Sequence, residues 1–484
     1  MQRLSIPFLS LIALAGTAGA QPAPDPQPAA PPADQPAAPA DPAPVATTPP
    51  PSSNQGEAKA ETPPPSIQGK WTTTFYGFAE GDLIYDKVQG PTEGLGNGAL
   101  PRPAFGTTPS TYANAHDQFT TSARNSRLGF RFGAPTVNDI KVSGQIEMDF
   151  VGNQPAGIAE AANFVNATMR LRHANFKLET PVLDVLIGQY WNLFGWQPVT
   201  QSGSIQYQGL PGFLNSRSQQ LRLGKVIKAG DVGVEIAVAA TRPGQRAGGL
   251  PDGQAGLRVS LDKLKAFHIV GGAGSTLESG MVGVSVIGRR FSVNEFAAAS
   301  VNAINKNGYG LALNALVPVV PATKESHANA LTLLGEFITG GGIADLYSGL
   351  SGGVRQPALP NPMGTTPAPT YTPNIDNGLL IFKTDGSLHP VRWQSIGAGL
   401  QYFLPPSGKV AIVANYSHLS SDNAHAFGPA TAVFDKQDFF DGNLFLDVTP
   451  AVRLGVDVVW LRQTYVDGVE ASDVRGQLSG YLIF

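Results

Sequence analysis

Charged residues in this chain recur at alternate positions inside short apolar runs. Arg127 and Arg131 flank Gly129 in "RLGFRFG", with Leu128, Phe130 and Phe132 as the other set. Arg222 sits between Leu221 and Leu223, and Arg258 between Leu257 and Val259. Arg453 and Asp457 alternate with Leu454, Val456 and Val458, and Arg475 follows the same rule near the end. Glu80, Asp82, Glu147, Asp149 and Asp441 are the other carboxylates with this spacing. The chemistry available to such residues is ion selection rather than bond making. Fixed charges along a water-filled wall bias which ions pass, and opposed patches of arginine and carboxylate orient a dipolar solute.

Enzyme motifs are missing from the same text. There is no G-x-x-x-x-G-K-[ST] phosphate loop and no G-x-S-x-G elbow. His418 and His425 are the nearest histidine pair, and their spacing fits no usual zinc site. With 0 cysteines, disulfide scaffolds and thiolate metal sites are excluded, and no cofactor is expected. A net charge of -3 argues against nucleic acid as a partner. A barrel enzyme assembling His173 or His418 with Ser and acidic groups from different strands stays open as an alternative, as does a structural or adhesive surface protein.

Positions that alternate in this way need strands to carry them. Side chains on successive residues of a strand point to opposite faces, so each run has one apolar and one polar face. Sixteen such segments follow Trp71, from "TFYGFAEGDLIYDK" to the terminal "SDVRGQLSGYLIF". A further candidate, "KAFHIVGGAG" around Phe267, makes the register uncertain over 262–278. Single-chain bacterial barrels have even strand numbers. The expectation is therefore an all-β, transmembrane antiparallel barrel of 16 strands, with 18 as the fallback. Short links such as "APTVND", "TPVL" and "PPSG" alternate with long ones near 86–123, 151–168, 192–216 and 341–390. Short turns at one end and long loops at the other are what a membrane barrel shows.

A charge on the lipid face near the midplane costs about 2–4 kcal/mol, which places the arginines and carboxylates above on the lumen side. Arg170 and Arg172 fit less simply. In "MRLRHANFKLE" they share a parity with Phe176 and Leu178, which either a bulge or a constriction-facing segment would explain. The link after "VLIGQY" carries Trp191, Phe194, Trp196 and Phe213. Four large aromatic groups in an exposed loop would be sticky. Folding inward to narrow the pore would bury them; packing at a subunit interface is the competing reading.

Two segments precede the strands. "MQRLSIPFLSLIALAGTAGA" has a basic residue, a short apolar run and an A-x-A-like site, so residues 1–20 are expected to be a cleaved signal peptide. Residues 21–69 are rich in Pro and Ala and are expected to form a disordered periplasmic spacer. An inert spacer is the plain reading, with cell-wall contact through 21–66 the alternative. The barrel is expected to occupy 70–484. The chain ends on Phe484, a residue type more usual in an apolar setting than at a frayed tail. In a closed barrel the last strand pairs with the first, and a terminal Phe resembles the C-terminal signature of outer-membrane proteins.

The ordered set "FYGFAEGDLIYD", "SRLGFRFGAP", "VSGQIEMDFVGN", "MRLRHANFKLE", "VLIGQYWNLFG" and "GEFITGGGIADLYSGLSGGV" resembles the DcaP-like family of outer-membrane porins. The likeness is densest over 71–195, Gly335–Val354 and the terminal strand. It implies a homotrimer of sixteen-stranded barrels in the outer membrane of a Gram-negative-type bacterium, surrounded by its lipid. It also implies passive diffusion of small hydrophilic solutes, with a preference for anions such as dicarboxylates. Basic residues at the constriction would carry that preference. Arg127 and Arg131 match as basic wall residues, and Arg170, Arg172 and His173 match through "RLRHA". A general, weakly selective porin is the alternative within transport. Two features depart from the family pattern. The N-terminal extension here is proline-rich rather than a coiled coil, and the inward acidic residues nearly balance the basic ones.

Overall fold

Alternation between apolar and polar positions becomes alternation between outside and inside of a closed sheet. The structure is a computed structural model. It describes residues 70–88, 100, 116–152, 168–201, 203–206, 209–244, 249–296, 301–323, 326–348, 350, 374–376, 378–383, 386–427 and 434–484. The chain divides into Met1–Ser66 and Ile67–Phe484. The signal-peptide and spacer expectations fall on 1–69, outside the described residues.

The strands are β1 (Thr72–Val88), β2 (His116–Ser122), β3 (Arg127–Gly133), β4 (Lys141–Asp149), β5 (Arg170–Glu179), β6 (Asp184–Trp191), β7 (Arg217–Ala229), β8 (Val232–Thr241), β9 (Asp252–Val270) and β10 (Gly274–Asn294). They continue as β11 (Ala303–Val320), β12 (Leu331–Gly341), β13 (Leu380–Phe382), β14 (Leu388–Pro390), β15 (Arg392–Phe403), β16 (Val410–Ser421), β17 (Phe434–Thr449), β18 (Val452–Tyr465) and β19 (Glu470–Ile483). β13 and β14 form a separate small hairpin. β2 and β3 both pair with β1, over Asp82–Val88 and Thr72–Phe78 respectively, so they are two pieces of one interrupted strand. The sheet therefore closes as sixteen antiparallel strands. Among the described residues no helix is long and apolar enough to cross a membrane; the crossing elements are strands.

Closure is made by β1 and β19, from Phe78 opposite Ile483 to Asp86 opposite Arg475. The last residue continues the ladder. The Phe484 N–H donates to the Gly77 carbonyl at 3.0 Å, and the Gly77 N–H donates back at 2.9 Å. This leaves no sheet edge, which a bilayer would not tolerate. The Phe484 ring points outward and is 48% exposed. It stacks on Phe75 at 5.2 Å, and Phe75 meets Phe130 at 5.2 Å. Such a group suits the aromatic girdle at a membrane interface. Its apolar surroundings are lipid rather than protein core.

The outer face is an apolar belt that includes Leu83, Ile187, Ile236, Val282, Ile396 and Val456, all exposed in the protein alone. Both described chain ends, Thr72 and Phe484, lie at one rim, here the near end. Short turns, such as those joining β7 to β8 and β17 to β18, occupy that rim. β2 is longer than its sequence suggests. "HDQFTTS" is polar and lacks an apolar set, yet its backbone pairs with the top of β1. In β5 a bulge is present. Glu147 opposes His173 while Met148 opposes Leu171, so Arg172 is the extra residue. Arg172 and His173 can then both point inward, and both are buried.

The "KAFHIVGGAG" segment is not a separate strand. It forms the end of β9, the turn and the start of β10, beyond a register shift at Ser279/Gly280. The fallback of eighteen is thereby removed.

Candidate functional site: the lumen and its two walls

The lumen is narrowed by the described residues between β6 and β7 (192–201, 203–206 and 209–216), which turn into the barrel. The aromatic groups are the reason. Phe194, Trp196 and Phe213 are 0%, 3% and 6% exposed. Phe194 and Phe213 join a cluster with Phe291, Ile343, Tyr347, Phe382, Trp393 and Phe439 that fills part of the interior. Burying rings of this size stabilises the inward position by about 1.5–3 kcal/mol each. The wall is prepared for them. A Cβ at Gly283 would stand 2.7 Å from Trp196, so only glycine lets the indole lie against β10. Wall side chains satisfy the loop backbone. Phe194 N–H donates to Gln254 Oε1 and Gly195 N–H to Ser285 Oγ, both at 2.8 Å. Trp196 Nε1 donates to the Val284 carbonyl at 3.1 Å. Trp191 differs from the loop expected for it. It is the last residue of β6, held in strand geometry opposite Arg217, with its ring on the inner face.

The loop rests on carboxylates from the β17–β18 wall. Ser204 Oγ donates to Asp441 Oδ2 at 2.6 Å, and Asn415 Nδ2 donates to Asp441 Oδ1 at 2.7 Å. Gln206 Nε2 donates to Asp457 Oδ2 at 2.7 Å. Leu214 N–H donates to Glu336 Oε1 at 2.9 Å. On β1, Glu80 accepts from Asn125, and Asp82 accepts from Ser479 Oγ at 2.5 Å. Arg475 pairs with Asp86 at 2.6 Å and is 1% exposed. Glu80, Asp82, Asp149, Asp441 and Asp457 are all on the inner face, yet none is more than 3% exposed. This corrects the idea of a lumen lined by these carboxylates. Loop and neighbouring side chains cover them.

The opposite wall, β3 to β7, is arranged differently. Arg172 Nε pairs with Glu147 at 2.7 Å and Arg172 Nη1 with Asp149 at 3.0 Å. Arg170 reaches Asp149 at 2.6 Å, and Arg127 lies 3.7 Å from Glu147. Arg131 is exposed and stands over the Tyr76 ring at 4.1 Å. Arg217 stands over Trp191 at 4.6 Å, and among the described residues it makes no ion pair. Five arginines (127, 131, 170, 172 and 217) thus face two carboxylates, a surplus of three positive charges. A cavity of about 950 Å³ is bordered on this wall by Arg127, Arg131, Arg172, Arg217 and Glu147, and across from it by Glu336, Lys409, Asp447 and Arg453.

The remaining arginines are tied up locally. Arg222 donates to the Trp191 carbonyl at 2.5 Å. Arg258 pairs with Glu235 at 2.5 Å and covers Trp196 at 5.0 Å. Arg453 pairs with Asp447 at 2.6 Å. The two histidines considered for catalysis are on opposite faces of the wall. His173 is inside, 3.8 Å from Glu147, while His418 is on the outer face of β16, 2.8 Å from Asp438. Among the described residues no group of three or more His, Cys, Asp or Glu could hold a metal ion.

Sequence reasoning missed Arg217, Asp86 and Glu336. Asp86 shares the parity of Glu80 and Asp82, and Glu336 shares that of Leu334 and Ile338, so both were legible. Arg217 is not. It begins β7 where the loop ends and has the opposite parity to Arg222.

No protein-family model matches the chain, and no curated protein matches it. Among solved structures, the outer membrane channel DcaP of Acinetobacter baumannii is similar with a TM-score of 0.61 and 19% identity, covering 87% of this chain and 99% of that one. Outer-membrane expressed OmpT of Vibrio cholerae gives 0.46 at 11% identity, covering 87% and 99%. Salmonella typhi OmpF gives 0.47 at 10% identity, covering 85% and 97%. The sixteen-stranded barrel is the fold shared with the first of these.

Proposed function

We propose that this barrel is an outer-membrane porin that lets small hydrophilic solutes diffuse through its lumen and favours anions, dicarboxylates among them. The observation that carries the anion preference is the contrast between walls. The open wall holds five arginines against two carboxylates, whereas Glu80, Asp82, Asp441 and Asp457 of the other wall are covered and hydrogen-bonded. A narrow passage lined by one sign of charge concentrates the opposite ion. The fold shared with a solved outer-membrane channel supports the same reading. Residues 1–20 then act as the export signal and 21–69 as a periplasmic spacer. A homotrimer in outer-membrane lipid is part of this proposal.

The test is the zero-current potential of the purified protein in a planar bilayer under a salt gradient, with and without a dicarboxylate. Anion-selective steps that the dicarboxylate blocks are the expected result. Equal passage of both ions would leave a general porin. Absence of current would overturn the channel reading.

A further inference from the structure

The near-end connection between β9 and β10 does not hang below the barrel as a turn does. Residues 262–264 of β9 are unpaired, because Ser279 opposes Lys265 while the next residue, Gly280, opposes Leu261. Asp262 fixes this offset by accepting from Lys228, Lys265 and Ser279 at 2.5, 3.3 and 2.6 Å. Gly280 lets β10 pass Pro318, where a Cβ would stand 2.7 Å from the ring. Beyond that bend the hairpin runs into the lumen. Ala266, His268 and Ile269 are 0% exposed, the reverse of a solvent-facing turn.

Its tip is fastened to distant strands. Gln401 of β15 brackets Ile269, accepting its N–H at 2.9 Å and donating to its carbonyl at 3.1 Å. Arg453 of β18 donates to the Gly272 carbonyl and to Ser275 Oγ, both at 3.0 Å. Gly272 lies so close to the Tyr481 hydroxyl that no side chain fits there. Ile269 and Ala273 share a cluster with Phe78 of β1, which is eight strands round the wall from β10. The hairpin therefore crosses the full width of a sixteen-strand barrel. It also meets the constriction loop: His268 Nε2 is 2.7 Å from the Gln201 carbonyl, and Ile205 packs in the same cluster.

We propose that residues 262–279 are a second selectivity element, an internal septum docked on loop 192–216. The septum closes the part of the lumen beneath β12 and β15–β19. The space left to solute passes Arg127, Arg131, Arg172 and Arg217 and skirts the hairpin tip to reach Lys409, Asp447 and Arg453 at the near rim. Gln401 and Arg453 are the residues that hold the septum shut. The inference rests on the channel reading above and names what sets its size limit.

Planar-bilayer recording with the full chain tests it, using two variants and neutral polyethylene glycols as size probes. In one variant, Asn-Gly replaces residues 266–278, a two-residue turn between paired strands. In the other, Gln401→Ala and Arg453→Met keep the chain length and remove the fastening. We expect single-channel conductance to rise roughly twofold, larger polymers to enter, and anion preference to fall as current bypasses the arginines. If the shortened chain fails to assemble, the fastening variant decides alone. Wild-type current with unchanged conductance and size exclusion in the variants overturns the septum and leaves the channel. Current in the variants but none in the wild type makes the septum a plug, which supports it while overturning the open channel. No current from any chain overturns both.

Discussion

The two inner walls of this barrel are built from the same strand pattern and end with opposite roles. On β17–β19 and β1, carboxylates such as Asp441, Asp457 and Asp82 point inward and meet hydroxyls, amides and one arginine. They are dry and support the loop. On β3–β7, arginines outnumber their partners and border the cavity. Counting inward charges makes the walls look balanced. What separates them is which charges the interior elements cover. Loop 192–216 and the β9–β10 hairpin pack over the acidic side and leave the basic side open. A buried, hydrogen-bonded charge stabilises structure, whereas a partly exposed one acts on whatever passes.

Three variants press on this contrast, taken by their cost in stability. Arg172→Ala should cost the most, about 3–5 kcal/mol, because it strips Glu147 of its closest partner and leaves Asp149 with Arg170 alone. Urea unfolding followed by gel mobility reads it, and a loss under about 1 kcal/mol would mean the cluster is wetter than its burial implies. Asp441→Asn should cost about 1–3 kcal/mol, since an amide cannot accept from Ser204 and Asn415 together. Its reversal potential should match the parent; a shift toward anions would show that the covered wall still acts on ions. Arg127→Gln with Arg131→Gln should cost least, about 0–1 kcal/mol, as both side chains are partly exposed. Yet this pair should move the reversal potential toward cations. The variant that costs least in stability is thus expected to shift selectivity most, so the two rankings differ. Agreement between them would collapse the distinction between the walls.

Much of this could be read in the sequence because a membrane barrel writes its faces in a period of two. Leu454, Val456 and Val458 against Arg453 and Asp457 leave one orientation that avoids a charge in lipid. The irregularity in β5 was legible for the same reason, as the parity of Arg172 conflicts with that of Phe176. Features set by contact across the lumen were not. Nothing near Asp441 says that Ser204, far off in the chain, will cover it. "HDQFTTS" carries no apolar face because its pairing with β1 is a backbone matter. The hairpin around Phe267 reads as an extra strand because it alternates as one, with Ala266 and His268 buried and Phe267 bordering the cavity.

The filled interior also constrains the order in which the chain can come together. Gln401, Arg453 and Tyr481 receive a hairpin made some 130 or more residues earlier, and the wall they belong to closes only when β19 meets β1. An empty cylinder could close at any time. Here loop and hairpin must already lie within the curling sheet when the seam zips, since nothing so broad threads through a finished rim. Late contacts of high sequence separation make for slow assembly. The seam at Gly77 and Phe484 is then the step that traps the contents, and a chaperone that holds it open would give the interior time to pack.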